Sequence, residues 1–171
     1  MASGAKAKAG KSGATTFELF RRGETPPRML LMIRLVLVGR RYRALLDERL
    51  RPAGQSAARM EAMAAILNAP VPRPQVDIAK RLRIEGPTLT RMLDALEKDG
   101  MVERLPDPAD RRTKQLRLTG EGEETLEEIF AIADGLRSRL FDGFSEAEVE
   151  VVNTFLARLM ERLDSGLKDG E

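Results

Sequence analysis

The chain has 171 residues, 42% of them apolar, with 29 Lys/Arg against 27 Asp/Glu and a net charge of +2. That length suits one domain, or one compact unit with a helical extension. Cysteine and histidine are both absent. Their absence excludes disulfides, thiol redox sensing and imidazole or thiolate catalysis, and it leaves a zinc site without its usual ligands.

The charge is unevenly spread, at +4 over residues 1–28, +4 over 29–69, +3 over 70–119 and −9 over 120–171. A basic N-terminal two-thirds beside an acidic C-terminal third suits a polyanion-facing half, or is ordinary surface charge. Residues 1–16, rich in Ala, Gly, Lys, Ser and Thr, have too little apolar surface to order themselves, and lack a signal-peptide run. Residues 1–28 therefore read as a basic, flexible arm. Met29 to Val38 is strongly apolar, but this stretch is interrupted by Arg34 and too short to span a bilayer. The expectation is a cytoplasmic protein with no membrane partner.

Three helical segments follow in the first half. Met29 to Leu50 predicts a long helix with Leu30, Ile33, Leu37, Tyr42, Leu45 and Leu46 spread over most of its sides. Such a helix needs cover on more than one side, from the same chain or from a second copy. Arg51-Pro52 ends it. Ser56 suits the N-cap of a second helix carrying Met60, Met63, Ile66 and Leu67 on one face, with Pro70 beyond its end. Val71-Pro72-Arg73-Pro74 is a stiff connector, and Gln75 to Leu82 predicts a short third helix burying Ile78, Ala79 and Leu82.

A fourth helix runs from Pro87, a residue suited to a first helical position, to Asp99, with Leu89, Met92, Leu93 and Leu96 as its inner stripe. Thr88, Thr90, Arg91 and Asp94 are left facing outward, and Gly100 supplies a left-handed cap. Two short helices joined by a tight turn make a helix-turn-helix. Met101–Leu105 and Lys114–Thr119 then alternate apolar and polar residues around Asp107-Pro108-Ala109-Asp110-Arg111-Arg112-Thr113. That is a hairpin with two arginines at its tip. A helix sized for the major groove beside a guanidinium-tipped hairpin is a tool for gripping DNA.

Thr119 caps a fifth helix whose first turn holds Glu121, Glu123 and Glu124, favourable at the positive end of the helix dipole. Leu126, Ile129, Phe130, Ala133, Leu136 and Leu140 form its stripe. Ser145-Glu146-Ala147-Glu148 is a capping box opening a sixth helix with Val149, Val152, Phe155, Leu156, Leu159 and Leu163 on one side. The fold class is mostly α with a small β-hairpin.

This order resembles the MarR family of winged-helix transcription regulators over roughly residues 29–165. The run from Asp77-Ile78-Ala79-Lys80 through Ile84-Glu85-Gly86-Pro87-Thr88-Leu89-Thr90-Arg91 to Leu93-Asp94, Leu96-Glu97 and Gly100 is similar to the SlyA-like branch. Asp110-Arg111-Arg112-Thr113 with Leu116, Leu118-Thr119 and Gly122 matches the family's wing signature. The resemblance implies a winged helix-turn-helix lobe at 70–119, flanked by dimerisation helices at 29–69 and 120–171. It also implies a homodimer on palindromic double-stranded DNA, since a two-fold dimer presents two reading heads about one helical turn apart. Two residues depart from the pattern. Met60 stands where the SlyA-like branch has Trp. Arg83 stands where the family has Gly, and since a non-Gly residue in a left-handed turn costs about 1 kcal/mol or more, a locally different turn is expected.

Carried over residue by residue, Arg112 matches the minor-groove arginine, and Asp110 would fix its rotamer through a charge-assisted hydrogen bond. Arg111 is either a phosphate contact or solvent-exposed. Arg91 falls where the SlyA-like branch uses an arginine, able to hold guanine O6 and N7 or a phosphate. Thr88 and Thr90 can reach base edges or backbone, or are ordinary helix-surface residues. Arg73, Lys80 and Lys114 are further phosphate candidates. An effector site for a small aromatic or phenolic carboxylate would draw on Tyr42, Met60 and Met63 with Arg34 or Arg59 as the cation; the alternative for the methionines is plain core. No metal, cofactor or catalytic role is expected. A ligand-released repressor is the expected output, with activation by displacing other DNA-binding proteins also open. The rival reading is a winged-helix module for protein–protein assembly, its arginines facing acidic partners.

Overall fold

The computed structural model of the chain describes residues 14–107 and 113–166. Two compact units emerge, Met1–Glu48 and Arg49–Glu171. In the first, helix α1 (Thr16–Arg21) stands where a shapeless arm was expected. Its cause is local. Thr15 Oγ1 accepts from the Glu18 amide at 3.2 Å while the Glu18 carboxylate accepts from the Thr15 amide at 2.8 Å, a closed capping box. Helix α2 (Pro27–Leu50) opens on a proline, two residues before the expected start, and its last turn crosses the division between the units. Its apolar residues are spread around the axis as the pattern required. Met32, Val36, Leu37 and Val38 are all exposed, Val38 at 65%.

The second unit follows a 3-10 turn, Arg51–Ala53, closed by the left-handed Gly54. Helix α3 (Ala57–Leu67) is its hub, packing on α4 (Gln75–Leu82), α5 (Gly86–Lys98), α6 (Gly120–Leu140) and strand β2 (Lys114–Leu118). Ser56 caps α3 as expected, its Oγ accepting from the Arg59 amide at 3.3 Å. Met63, Ile66, Ile78, Leu89, Leu93 and Leu96 are fully enclosed, each contributing about 1.5–3 kcal/mol by burial. Among the described residues the core holds no buried polar side chain, and no buried side-chain nitrogen or oxygen lacks a partner.

The turn of the helix-turn-helix is made by Arg83 itself in a left-handed conformation. Arg83 sits at φ 53°, ψ 41°, within the left-handed region. The residue carries the cost of that conformation, of order 1–2 kcal/mol. Its guanidinium donates to Asp164, and both side chains are about half exposed. Such a surface pair is worth about 0–1 kcal/mol, which does not offset the backbone.

Strand β1 (Val102–Pro106) pairs antiparallel with β2 in the register Val102↔Leu118, Arg104↔Leu116 and Pro106↔Lys114. Opposed residues share a face, so Val102, Leu116 and Leu118 turn inward together and Arg104 turns inward with them. The connector joins the sheet's other edge, where the Leu116 amide donates to the Arg73 carbonyl at 2.9 Å. Gly100, at φ 75°, ends α5, and Gly122 lets α6 start hard against it. A Cβ on Gly122 would lie 2.0 Å from the Met101 carbonyl oxygen.

Helix α7 (Glu146–Asp164) begins with the expected box, Ser145 Oγ accepting from the Glu148 amide at 3.3 Å. Hydrogen bonds from the Ser145 hydroxyl, then from its amide, hold the Glu148 carboxyl below its ordinary pKa. Its apolar face exists but is buried nowhere: Val152, Phe155 and Leu163 are exposed and Leu156 and Leu159 only partly covered. Among the described residues no helix is long and apolar enough to cross a membrane.

Candidate nucleic-acid interface

Helix α5 buries Leu89, Leu93 and Leu96 and so turns the intervening positions outward. Thr88 and Arg91 are exposed there, free of the core. Thr90 is half-buried and differently used. Its hydroxyl donates to the Gly86 carbonyl at 3.0 Å and accepts from Gln75 Nε2 at 2.7 Å. The bond from Gln75 straps α4 to α5, the bond to Gly86 stays within α5, and the hydroxyl keeps one lone pair for any other partner.

Arg104 is the residue that sequence reasoning passed over. From the inner face of β1 it holds Asp94 at 2.7 Å and Glu97 at 2.5 Å on α5, and reaches the Thr90 carbonyl at 3.4 Å. Its side chain is only 19% exposed. The guanidinium is sheltered while Asp94 and Glu97 stay 59% and 43% exposed, so the two charge-assisted bonds fix relative position more than they add stability. The hairpin is thereby keyed to α5, and two carboxylates on that helix are neutralised before any polyanion approaches. The available signal was strand period: Arg104 shares its face with Val102, and Asp94 and Glu97 lie one helical turn apart.

On the outer face of the hairpin, Arg117 pairs with Glu103, whose hydrogen bond and then charge raise the guanidinium's pKa further. Asp107 and Thr113 close the ladder, the Asp107 amide donating to the Thr113 carbonyl at 3.0 Å, and Gln115 Nε2 donates to the Asp107 carboxylate at 2.9 Å. Asp110, Arg111 and Arg112, expected at the tip, lie outside the described residues.

Arg73, a phosphate candidate by sequence, is used internally. Its guanidinium donates to the Ala69 carbonyl at 2.9 Å and the Leu67 carbonyl at 3.3 Å, capping the end of α3. Lys80 and Lys114 are exposed, with Asp77 3.5 Å from the Lys80 ammonium. The residues suggested for an effector fare unevenly. Met63 is fully enclosed in the core and Met60 half-buried on α3. Arg59 holds Asp99 at 2.7 Å and Gln55 at 3.0 Å, tying α3 to the end of α5. On α2, Arg34 is exposed and Tyr42 half-buried.

The MarR family profile matches residues 56–114, the stretch from the N-cap of α3 to the first residue of β2. Among solved structures, the transcriptional regulator PA3341 is 33% identical, with a TM-score of 0.72 over 80% of this chain and 99% of that one. Wild-type MarR from E. coli, in its apo form, is 30% identical, with a TM-score of 0.65 over 78% and 96%. A MarR variant from E. coli solved with operator DNA is 28% identical, with a TM-score of 0.69 over 77% and 94%. Identity at this level over nearly the whole of the matched chains, on top of the winged helix-turn-helix, places this chain in the MarR family of transcriptional regulators.

Proposed function

We propose that the chain is a homodimeric, non-enzymatic repressor of the SlyA-like branch that binds a palindromic operator and is released by a small ligand. One observation carries the DNA-binding reading: α5 presents Thr88 and Arg91 outward while Arg104 keys to it a hairpin whose tip sequence is Asp110-Arg111-Arg112. On this reading Arg91 enters the major groove, and Arg112, steadied by Asp110, enters the minor groove. Thr88, Arg111 and the remaining lone pair of Thr90 serve the flanking backbone or base edges. Support comes from the 28% identical MarR variant solved with operator DNA.

The dimer is supported by apolar surface that one chain leaves bare. Val36, Leu37 and Val38 on α2, and Val151, Val152 and Phe155 on α7, are between 45% and 70% exposed. Exposed apolar surface on this scale marks an interaction surface. Ligand response rests on Arg34, Tyr42 and Met60, since Met63 is core and Arg59 already holds Asp99.

Fluorescence anisotropy against an operator selected by the parent chain tests the DNA reading. Arg91→Ala and Arg112→Ala are each expected to cost about 1–3 kcal/mol, roughly five- to 150-fold. Parent-like affinity in both variants would overturn it and favour a protein–protein module. Sedimentation as a monomer at micromolar concentration would remove the dimer. A panel of aromatic carboxylates that leaves operator affinity untouched would remove the ligand response.

A further inference from the structure

A groove of about 460 Å³ runs along the helix-turn-helix between α4, the turn and the first residue of α5. Its lining is largely apolar, from Val76, Ala79 and Ile84, and Lys80 and Arg83 supply the cations. Arg83 is anomalous here. The left-handed backbone at φ 53° favours glycine, and the exposed pair with Asp164 returns less than that backbone costs. A strained residue kept at such a position points to a use for its side chain. The guanidinium shares the groove with the Lys80 ammonium, beside the end of α5 that a helix-turn-helix offers to the major groove.

Resting on the DNA-binding reading, we infer that this groove takes a phosphate of the DNA backbone, with Arg83 as its main ligand and Lys80 as the second cation. Asp164, at the end of α7, is the competitor that holds Arg83 in the absence of DNA. A guanidinium binds a phosphodiester through parallel N–H donors with the same geometry it offers a carboxylate. DNA therefore replaces Asp164 at Arg83, and the far end of α7 is let go as the reading head seats. The contact is sequence-independent, adding affinity and register without base readout.

The test uses the full chain with a fluorescent duplex of random sequence, titrated between about 50 and 200 mM salt. Arg83→Gly and Arg83→Gln are expected to weaken binding several-fold and to lower the salt slope by about 0.9 for each groove engaged. Arg83→Gly also relieves the left-handed backbone, so it should melt no lower than the parent, which separates loss of binding from loss of fold. Asp164→Asn is expected to tighten binding several-fold in the parent and to change nothing when Arg83 is already Gly. Arg83 variants with the parent's salt slope, or an Asp164→Asn effect that survives Arg83→Gly, would overturn the inference. A parent chain that binds no duplex at any salt would instead remove the regulator reading on which it stands.

Discussion

Helices α5 and α7 carry the same kind of sequence and meet opposite fates. Both are amphipathic, both begin and end on clear signals, and both put leucines at helical spacing. In α5 the stripe is enclosed, with Leu89, Leu93 and Leu96 at 0% exposure. In α7 no residue is buried, and Val152 and Phe155 stand open. Periodicity says that a face must be covered, and says nothing of what covers it. The helix-turn-helix lobe closes on itself through α3, while α7 leaves its apolar face uncovered within its own unit.

The comparison breaks first in the core of the head. Leu93→Ala should cost about 2–5 kcal/mol, a large part of the 5–15 kcal/mol that holds a domain folded, measured by urea melts. Phe155→Ala on α7 should cost far less in dilute protein, because no neighbour in the chain is lost. Gly122→Ala comes next, at about 1–3 kcal/mol, since the added methyl must push α6 away from the Met101 carbonyl.

Concentration sharpens the contrast. If a second copy covers α7, stability should rise by about 1.4 kcal/mol for each tenfold increase in protein, and the melt with it. Val152→Glu should abolish that dependence and leave the secondary structure intact.

The smallest effects lie at the start of α7. Ser145→Ala removes the hydroxyl cap and should cost about 1 kcal/mol. The Glu148 carboxyl has its pKa lowered in the fold, so its contribution is present above the unfolded carboxylate range and is lost as pH falls through the folded value. Acid titrations of the parent and Glu148→Gln should therefore converge at low pH. A gap that persisted in acid would assign the effect to packing instead of the charge.

Where the chain signals locally, the sequence is legible. Ser56, Gly100, Thr119 and the Ser145–Glu148 box all end or begin helices as read, because a cap needs only neighbours three or four residues away. The same kind of signal at Thr15 and Glu18 was hidden by the composition around it, and α1 was missed. At the site, the outward positions Thr88 and Arg91 followed from helical period. The internal engagement of Thr90 did not, for its partner Gln75 lies 15 residues away. Arg59 and Asp99 are 40 apart, and Arg83 and Asp164 are 81 apart.

By itself the sequence determined the element order from α2 onward, the caps from α3 onward and the excess of apolar surface on α2 and α7. It also determined the inner stripes of the helix-turn-helix, except Leu82 and Met92, which are only half-buried. Each is a property of residues within a few turns of one another, where backbone geometry dictates who can meet. Only the tertiary structure decided which polar groups remain available to a partner. It drew Arg73 and Arg59 into caps and struts, placed Arg104 between two carboxylates and kept Arg83 in a glycine's conformation. A long cationic side chain binds whichever acceptor folding brings nearest, and that distance is set by the packing of α3 against its neighbours, not by spacing along the chain.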